Sequence, residues 1–276
     1  MENGLSKLLI KKAVGDILPW SEQAALVQET GLPLREIETA ALRLGIVPER
    51  YQRNLGAITS AEQLKLFHAK AAVIGCGGLG GYVIEELARL GLGEIRVWDG
   101  DVFEATNLNR QLLAEIPTIG KSKVQSAAAR VEAINPAVRL TGYPYPFRGP
   151  EDASLLKGIA LVIDALDNIP DRLCLAQVCR ELQIPMIHGA VDGWYGQVII
   201  QFPEERTIEQ IYGHVEARQD ESVSKPSVLG FVPAVIASLE VAQALKVILG
   251  RDDLRRGQLL AIDLLSMDID TLDIGS

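Results

Sequence analysis

A glycine-rich loop set between a strand and a helix constrains the fold of this chain more than any other feature. The loop follows the apolar run 71–74 and precedes residues 79–90, which carry apolar side chains at helical spacing. Its glycines are Gly75, Gly77, Gly78 and Gly80. Because glycine has no side chain, phosphate oxygens can approach the backbone N–H groups at the positive end of the helix. The spacing therefore predicts a loop that binds the phosphates of a nucleotide.

A carboxylate follows the loop at the distance expected for ribose binding. Asp99 lies 19 residues after Gly80, at the end of the next predicted strand, where it can accept hydrogen bonds from ribose hydroxyls. The glycines do not identify the nucleotide, since a nicotinamide dehydrogenase carries the same loop. ATP, with its higher charge, needs point cations and usually magnesium. Arg110, Lys123 and Arg53 meet that need, although each alone would be ordinary exposed surface.

Strands and helices alternate on both sides of the loop. Predicted strands cover residues 71–74, 95–98, 161–165 and 185–188, and the helices between them cover residues 79–90, 121–134 and 170–182. Such alternation requires a parallel sheet covered by helices on both faces, with ligands at the carboxyl ends of the strands. Further elements are predicted at 196–202 (an antiparallel strand), 203–225 (a mobile loop), 232–249 (a long apolar helix) and 259–274 (one or two strands). We therefore predict an α/β fold with a Rossmann-like, mixed but mainly parallel sheet covered by helices.

The first 48 residues are predicted to be a small helical segment. The periodicity indicates helices over residues 5–18, 21–29 and 33–44, and the outline of helix, glycine turn and helix is that of a helix-turn-helix. Five basic residues stand against six acidic ones in this segment, whereas a duplex-binding helix pair needs a positive face. We therefore favour a docking or packing module over DNA binding. We expect two domains, residues 1–48 and residues 49–276, the second of which binds the nucleotide.

Composition favours a soluble, cytoplasmic protein. The net charge of -9 disfavours a general affinity for nucleic acid or anionic membranes. The first 18 residues lack the apolar core of a signal peptide, and we expect no run of about 18 apolar residues that could span a membrane. The 3 cysteines form no Cys-x-x-Cys pair, so we expect a reducing compartment and no structural zinc.

Further motifs follow the loop in a fixed order. They are Asp99-x-Asp101, Asn107-Leu-Asn-Arg110-Gln111, Gly120-x-x-Lys123-Val124 and Asp164-x-x-Asp167-Asn168. Together with the loop, this series resembles the ubiquitin-activating-enzyme-like adenylyltransferases of the ThiF/MoeB/HesA family, over residues 50–274. Residues 50–54 also resemble the Arg-Tyr-x-Arg-Gln entry segment of that family, with Asn54 in place of the usual glutamine. Several ordered motifs are far more specific than one glycine loop.

The resemblance implies an activity. ATP and Mg²⁺ would bind in the pocket, and a carboxylate would attack the α-phosphate, so that pyrophosphate leaves and an acyl-adenylate remains. The carboxylate is usually that of the terminal glycine of a small ubiquitin-like β-grasp sulfur carrier ending in Gly-Gly. The expected setting is the biosynthesis of molybdenum or tungsten cofactor, of thiamine or of related sulfur-containing products.

The resemblance also implies roles for individual residues. The nucleotide-binding residues would be Gly75, Gly77, Gly78, Gly80, Asp99, Asp101, Asn107, Gln111 and Asn168. The catalytic residues would be Arg110, Lys123, Asp167 and Arg53, with Asp167 also the magnesium ligand. Such a site works by positioning and by stabilising charge on the phosphates, not by acid–base chemistry.

Arg53 has a special position in the resemblance. In homodimeric relatives, the second arginine of the entry segment reaches into the nucleotide pocket of the neighbouring subunit. We therefore expect a homodimer, in which two-fold symmetry would create two composite sites. The alternative for Arg53 is a salt bridge at the start of the domain.

The cysteines depart from the family pattern. Many relatives carry two Cys-x-x-Cys pairs for zinc, and some carry a cysteine in a late loop that takes the activated carboxylate, whereas no cysteine follows Cys179 here. We expect Cys76, Cys174 and Cys179 to be small buried hydrophobic residues. The acyl-adenylate would then be released or relayed directly, with sulfur transfer left to another protein. We also expect His188, at a strand end, to be packed or hydrogen-bonded and not a base.

Three other functions stay open from the sequence. One is ATP-dependent dehydration of a carboxylate on a modified tRNA base, which the acidic net charge disfavours. Another is a nucleotide-binding sensor or scaffold, which the set of Arg110, Lys123 and Asp167 disfavours. The last is a nicotinamide-dependent oxidoreductase, which the same cations disfavour.

Overall fold

The computed structural model describes residues 2–213 and 227–274, which contain an eight-stranded sheet flanked by helices. The strands are β1 (Ile17–Leu18), β2 (Val47–Pro48), β3 (Lys70–Ile74), β4 (Glu94–Trp98), β5 (Arg139–Tyr143), β6 (Leu161–Asp164), β7 (Met186–Asp192), β8 (Tyr195–Gln201), β9 (Gln258–Asp263) and β10 (Asp268–Asp273). The helices are α1 (Glu2–Lys12), α2 (Trp20–Thr30), α3 (Leu34–Arg43), α4 (Ser60–His68), α5 (Gly78–Leu90), α6 (Lys123–Ile134), α7 (Ile169–Glu181), α8 (Thr207–Tyr212) and α9 (Phe231–Leu249).

The large sheet is mixed and mainly parallel, with the strand order β10-β9-β8-β7-β6-β3-β4-β5. Strands β5, β4, β3, β6 and β7 are parallel to one another, and β8, β9 and β10 are each antiparallel to their neighbours. This topology confirms the predicted Rossmann-like α/β fold. Along the sequence, β4 and β5 are added on one side of β3, and β6 and β7 are then added on its other side. The carboxyl end of β3 is therefore the crevice where such sheets bind ligands.

Side chains that alternate along the central strands face two apolar layers. On β3, Ala71 and Val73 face the layer that contains α5, α6 and α9, whereas Ala72 and Ile74 face the layer that contains α7 and α8. Burial on both faces explains why the central strands are continuous apolar runs in the sequence. Helix α9 is long and apolar enough to cross a membrane, contrary to our expectation that no such run exists, but it packs against α5, β7 and β8. Its buried side chains belong to the same apolar layer as those of α5 and α6.

The described chain differs from the predicted elements in a few places. The helix expected over residues 5–18 ends at Lys12, because Gly15 turns the chain with a φ of 59° and Ile17 then pairs with Val47. The sequence patterns that we used do not predict α4 or β5. Helix α8 lies within residues 203–225, where we expected only a loop, and residues 214–225 lie outside the described part of the chain.

The amino-terminal helices are joined to the α/β domain by one arginine of α3. Arg35 donates hydrogen bonds to the backbone carbonyls of Phe67, Gly93 and Ala137, which lie at the end of α4 and beside the amino-terminal ends of β4 and β5. Its guanidinium also lies 5.0 Å from the centre of the Phe67 ring. Because buried carbonyls need hydrogen-bond partners, these contacts fix α3 against the α/β domain.

A buried ion pair makes a second connection. Glu38 on α3 is fully buried and forms an ion pair with Arg50, which begins the entry segment. Burial raises the pKa of Glu38 to about 7, although Arg50 opposes that rise. Next to this pair, Tyr51 is completely buried and shares an apolar cluster with Leu42 and Val47.

Candidate nucleotide-binding site

The carboxyl ends of β3, β4 and β6 meet at one edge of the sheet. The backbone N–H of Gly75 donates to the carbonyl of Trp98 over 2.8 Å, and the N–H of Ala165 donates to the carbonyl of Ile74 over 3.0 Å. The glycine loop therefore lies between the turns that follow β4 and β6. Helix α5 begins at Gly78, so that the N–H groups of its first turn face this edge.

Two glycines of the loop are required by close backbone packing. A Cβ atom on Gly75 would lie 2.6 Å from the carbonyl oxygen of Ala165, and Gly75 has a φ of +104°. A Cβ atom on Gly80 would lie 1.9 Å from the carbonyl oxygen of Gly75. In contrast, a Cβ atom on Gly77 or Gly78 would meet nothing closer than 3.7 Å. Gly75 and Gly80 thus shape the loop, whereas Gly77 and Gly78 leave its surface open to a phosphate.

Asp99 holds the loop in place. One of its carboxylate oxygens accepts the N–H of Cys76 at 2.7 Å, and the other accepts the N–H of Asp101 at 2.8 Å. Burial raises the pKa of Asp99, and these two N–H donors and the charge of Lys123 oppose the rise. Each carboxylate oxygen has a second lone pair, so the contact with a ribose that the sequence predicts stays chemically possible. The second role, as a support for the loop, follows from the structure alone.

Lys123 and Asp101 form an ion pair beside the loop. Lys123 Nζ lies 2.9 Å from Asp101 Oδ2; the lysine side chain is 8% exposed and the aspartate side chain is 73% exposed. Lys123 is the first residue of α6, whose amino terminus is capped by Ser122. The lysine is therefore not ordinary surface but a buried cation with a fixed position at the edge of the site.

The segment that contains Asn107 and Arg110 borders the glycine loop. The side chain of Asn107 is buried and accepts a backbone N–H of its own turn. Arg110 Nη1 donates to the carbonyl of Thr106 and to Asn109 Oδ1, each at 2.9 Å. The aliphatic part of Arg110 lies 4.0 Å from the position of a Cβ atom on Gly78. The structure therefore brings the guanidinium-bearing side chain next to the loop, as the motif order predicts.

Of the residues around the glycine loop, Gln111 gives the most direct indication that the site binds a ligand. Its side chain is buried, and its Oε1 atom has no hydrogen-bond partner within the described residues. Its Nε2 atom lies 3.8 Å from the position of a Cβ atom on Gly77, so the amide faces the open surface of the loop. Because buried polar atoms in native structures are nearly always satisfied, an acceptor without a partner at this position fits a ligand hydroxyl such as that of a ribose.

Asp167 and Asn168 follow β6 and differ in their surroundings. Asp167 is exposed on the turn that passes the glycine loop. Asn168 caps the amino terminus of α7: its Oδ1 accepts the N–H of Asp171, and its Nδ2 donates to the Asp171 carboxylate, both at 2.9 Å. The structure therefore gives Asn168 a helix-capping role that the motif alone does not predict, whereas the Asp167 carboxylate faces solvent beside the loop.

Within one chain, the fold places Arg53 far from the glycine loop. It lies in a short 3₁₀ helix (Glu49–Asn54) that packs at the carboxyl end of α5, where Asn54 bonds to Gln63 and Gln63 bonds to the carbonyl of Leu90. The glycine loop lies at the amino end of the same helix. A 13-residue helix is about 20 Å long, which is well beyond the reach of one arginine side chain. The Arg53 side chain is exposed.

A buried polar network lies under the turn that carries Asp167. Asp164 is completely buried and accepts hydrogen bonds from Arg172 Nε at 2.9 Å, from His188 Nδ1 at 2.8 Å and from the N–H of Leu166 at 3.0 Å. Burial opposes the ionisation of Asp164, yet these donors and the charge of Arg172 hold its pKa below the usual value. Burial lowers the pKa of His188, so the imidazole is neutral and donates from Nδ1. The prediction that His188 is hydrogen-bonded is confirmed.

The network continues to α8. The neutral His188 accepts the hydroxyl of Tyr212 at Nε2 over 3.0 Å, and Gln197 Nε2 donates to the same hydroxyl over 2.6 Å. The Tyr212 ring also lies 4.9 Å from the Arg172 guanidinium. Sequence reasoning missed Tyr212 and Gln197, because nothing in the pattern around them marks a site. The sequence does carry a signal for this network in Asp164, a carboxylate at the end of an otherwise apolar strand.

Tyr212 and Gln197 also line a groove on the outer part of the sheet. The groove has a volume of about 530 Å³. It is lined by the carboxyl end of β7, by β8, by the β9–β10 hairpin and by α8, and its other lining residues include Ala190, Asp192, Tyr195, Asp263, Ser266, Asp268 and Asp270. Since β7 is parallel to β6, the groove opens at the same edge of the sheet as the turn that carries Asp167.

The cysteines agree with the prediction at two of their three positions. Cys76 and Cys179 are buried, and burial raises the pKa of both thiols. Cys174 is exposed on α7, so the expectation that it is buried is wrong. It sits on the solvent side of the helix, beside Gly149. In residues 2–213 and 227–274, no three His, Cys, Asp or Glu side chains cluster closely enough to hold a metal ion by themselves.

Comparison with known proteins agrees with this geometry. Residues 51–276 match the ThiF family. The chain is 32% identical to the SAMP-activating enzyme E1 of Haloferax volcanii, with 81% of this chain and 84% of that protein covered. It is also 32% identical to the sulfur carrier protein adenylyltransferase of Thermus thermophilus, with 82% and 87% covered. The Adenylyltransferase and sulfurtransferase MOCS3-1 of Zea mays is 33% identical over 75% of this chain, which spans 45% of that longer protein.

Solved structures share the fold. Escherichia coli MccB crystallised with ATP superposes with a TM-score of 0.73 at 20% identity and covers 99% of this chain and 88% of its own. MccB with MccA-N7isoASN gives the same TM-score at 22% identity, covering 92% of this chain and 83% of its own. At this level of identity the likeness concerns the fold alone, and it extends to the amino-terminal helices that the ThiF match does not include.

Proposed function

The chain belongs to the ThiF family, and from that premise we propose that it is an ATP-dependent adenylyltransferase that activates the terminal carboxylate of a small sulfur-carrier protein. The observation that carries the proposal is the glycine loop bordered by a buried cation, Lys123, and by a buried acceptor without a partner, Gln111 Oε1. The substrates would be ATP and a β-grasp protein that ends in Gly-Gly. The products would be the carrier acyl-adenylate and pyrophosphate.

The loop and its neighbours suit ATP as a substrate. The N–H groups at the start of α5 and the open faces of Gly77 and Gly78 would receive phosphate oxygens. Asp99 and Gln111 would accept hydrogen bonds from the ribose hydroxyls, and Asn107 and Asp101 would keep the surrounding turn and Lys123 in place. Acceptors for the ribose and cations for the phosphates would thus border the same loop, which fits a nucleotide with a charged tail.

The reaction requires no general base. A carboxylate oxygen of the carrier attacks the α-phosphorus, the bond to the bridging oxygen of the β-phosphate breaks, and pyrophosphate leaves with the electron pair. Lys123 and Arg110 would stabilise the negative charge that accumulates on the phosphate oxygens. Because Lys123 is already held by Asp101, little reorganisation would be needed during the reaction. Neutral His188 is committed to its own network and takes no part in proton transfer.

Asp167 would hold magnesium together with the phosphates of ATP. Mg²⁺ in nucleotide sites is commonly bound by one or two carboxylates, several waters and the phosphates themselves, so one exposed carboxylate beside the loop fits this donor set. The ion would supply charge neutralisation between the phosphates and favour departure of pyrophosphate. Asp167 itself would fix the side of the loop on which the triphosphate lies.

The groove lined by β7, β8 and α8 suits the extended tail of the carrier. A peptide without side chains at its end, such as Gly-Gly, passes easily through a narrow opening toward the loop. The groove leads to the edge where Asp167 and the glycine loop lie. Tyr195 in its wall is exposed, and Leu265 and Met267 are exposed between β9 and β10, so a folded carrier could cover these apolar side chains.

We further propose a homodimer in which Arg53 completes the site of the partner subunit. Arg53 lies about one helix length from its own glycine loop and is exposed without an ion-pair partner among the described residues. A two-fold axis would bring each Arg53 to the other pocket and create two equivalent sites. We place the enzyme in the reducing cytoplasm, where Cys174 stays a free thiol.

The product would be handed on as the acyl-adenylate. No cysteine follows Cys179 in the sequence, and burial raises the pKa of Cys76, Cys174 and Cys179, so none of these thiols is poised to attack the activated carboxylate. The next step would be attack by the sulfur nucleophile of another protein on the acyl carbon, with AMP as the leaving group.

Exchange of labelled pyrophosphate into ATP tests the proposal. The purified protein is assayed with magnesium and with small β-grasp proteins that end in Gly-Gly, and in parallel with the same carriers lacking the terminal glycine. Exchange that requires the complete tail is expected. Tight ATP binding without exchange for any carrier would instead indicate a nucleotide sensor, and exchange stimulated by tRNA would indicate a base-modifying enzyme.

A further inference from the structure

The hydrogen-bonded chain between the groove and the Asp167 turn has no role in the reaction described above. It runs from Gln197 and Tyr212, which line the groove, through His188 to Asp164, which is completely buried. Asp164 in turn accepts the N–H of Leu166, the residue that precedes Asp167. Every link is 3.0 Å or shorter. One continuous chain thus joins the wall of the groove to the turn that carries the proposed metal ligand.

Tyr212 contacts both side chains that hold Asp164. Its hydroxyl donates to His188 Nε2, and its ring lies 4.9 Å from the Arg172 guanidinium. Arg172 donates to Asp164 Oδ2 and also to the carbonyl of Leu166, at 2.7 Å. The turn before Asp167 is therefore held at the N–H of Leu166 by Asp164 and at the Leu166 carbonyl by Arg172. Tyr212 contacts Arg172 directly and is linked to Asp164 through His188.

The protonation states of Asp164 and His188 determine which atom donates and which accepts in each hydrogen bond of the chain. The pKa of Asp164 is held below its usual value, which favours a carboxylate that accepts, and burial lowers the pKa of His188, which favours a neutral ring that donates from Nδ1 and accepts at Nε2. The Tyr212 hydroxyl then donates to His188 and accepts from Gln197. In this arrangement each of these side chains has a hydrogen-bond partner, and a connected network of this kind favours a single arrangement of its members. Loss of one hydroxyl leaves His188 Nε2 with only the weaker, 3.3 Å contact to Gln197.

We propose that Tyr212 is a positioning residue that links the bound carrier tail to the Asp167 turn. A tail in the groove would lie against Tyr212 and Gln197, and these residues would transmit its position through His188 and Arg172 to Leu166 and Asp167. The inference rests on the proposed adenylation of a carrier tail and assigns to that site a residue outside the motifs of the family match. Tyr212 does not touch the reacting atoms in this arrangement.

The test is Tyr212→Phe, which keeps the ring beside Arg172 and removes only the hydroxyl. We expect the KM for the carrier to rise about five- to tenfold and kcat to fall, because one buried hydrogen bond and its alignment are lost. The KM for ATP should stay within about twofold, because the glycine loop, Asp99 and Lys123 lie outside this hydrogen-bonded chain, and a displaced Asp167 turn should appear as the fall in kcat. A merely structural role would lower the amount of active enzyme and leave both KM values unchanged.

A double-mutant cycle with His188→Gln gives the decisive comparison. If the two residues act in one chain, the double variant should be about as impaired as the worse single variant, whereas independent roles would give multiplied effects. Tyr82→Phe, which removes a hydroxyl from α5 away from the groove, is the matched control and should leave both KM values unchanged. If His188→Gln fails to fold, the KM split of Tyr212→Phe still decides the question.

Two outcomes would overturn the inference without affecting the proposed function. One is wild-type exchange with unchanged carrier KM and kcat in Tyr212→Phe. The other is an equal rise in the KM values for carrier and ATP, which would indicate a general disturbance of the sheet edge. Absence of exchange in the wild-type protein with every carrier would instead refute the proposed function itself, so the two failures are distinguishable.

Discussion

The ring of Tyr51 packs directly against Gly91 at the carboxyl end of α5. A Cβ atom on Gly91 would lie 2.6 Å from the ring, and the Tyr51 hydroxyl accepts a hydrogen bond from Asn135 at 2.9 Å. This contact fixes the entry segment, and Arg53 with it, at the opposite end of α5 from the glycine loop. The distance requires that Arg53 act in the partner subunit if it acts in the site at all.

Mixed dimers test that requirement. Arg53→Ala and Asp167→Ala subunits should each be inactive alone, and after mixing each heterodimer should contain one intact site, made from Asp167 of one subunit and Arg53 of the other. With random pairing, about one quarter of the wild-type exchange activity should return. Subunits that pair, as seen by sedimentation, but recover no activity would place Arg53 outside the composite site.

Asp167→Ala should abolish exchange without weakening the fold. The side chain is exposed, and surface substitutions away from specific contacts usually change the free energy of unfolding by less than about 0.5 kcal/mol. The measurements are pyrophosphate exchange at saturating ATP and urea unfolding. Asp252→Ala, which removes another exposed carboxylate beyond α9, is the control and should keep full activity. Normal exchange in Asp167→Ala would contradict the assigned magnesium ligand.

Lys123→Ala should lower kcat for exchange by about 100-fold or more, because a preorganised charge facing the phosphates is lost. The partner carboxylate, Asp101, is 73% exposed, so the loss of the ion pair itself should cost little stability. Lys121→Ala is the matched control, since Lys121 is exposed two residues earlier. If both variants lose activity equally, the effect arises from local net charge and not from the fixed position of Lys123.

Glu38 should make the stability of the protein depend on pH. Its pKa is raised to about 7 by burial, above the usual value of 4.5, so the folded protein keeps a proton that the unfolded chain releases. This stabilising contribution is complete below about pH 4.5 and is lost as pH rises through about 7, by an amount on the order of 3 kcal/mol.

Urea unfolding at pH 5 and pH 8 measures this effect. Glu38→Gln should reduce the difference in the free energy of unfolding between the two pH values, because its side chain cannot ionise. Glu36→Gln, on the exposed face of the same helix, should leave the difference as in the wild type. An unchanged difference in Glu38→Gln would show that another group is responsible.

Most of the α/β core could be predicted from the sequence, because buried parallel strands are continuous apolar runs and the glycine loop marks the first crossover. The edge strand β5 was harder to predict. It is only partly covered and contains Arg139, Thr141 and Gly142, so neither an apolar run nor a strict alternation identifies it. Helix α4 did have a signal, a capping box formed by Thr59 and Glu62, which our patterns did not use.

The candidate site could be predicted in position but not in detail. The motif order groups Lys123 with the glycine loop in one predicted site, yet the pairing of Lys123 with Asp101 depends on a contact across 22 residues that no local pattern encodes. The same is true of Tyr212, whose hydroxyl meets His188 only because α8 packs on the sheet. Long-range hydrogen bonds of this kind are consequences of packing, and packing is what a single sequence reveals least.

Among the described residues, no strand pairs with the outer edge of β10, and all residues of β10 are exposed. An unpaired edge strand can pair with a strand of another copy of the protein, and repeated pairing of this kind produces fibres. Asp268, Asp270 and Asp273 place like charges along this edge, so two copies that approach it repel each other. The colloidal stability of concentrated solutions should therefore be lowest where salt screens these carboxylates or acid neutralises them.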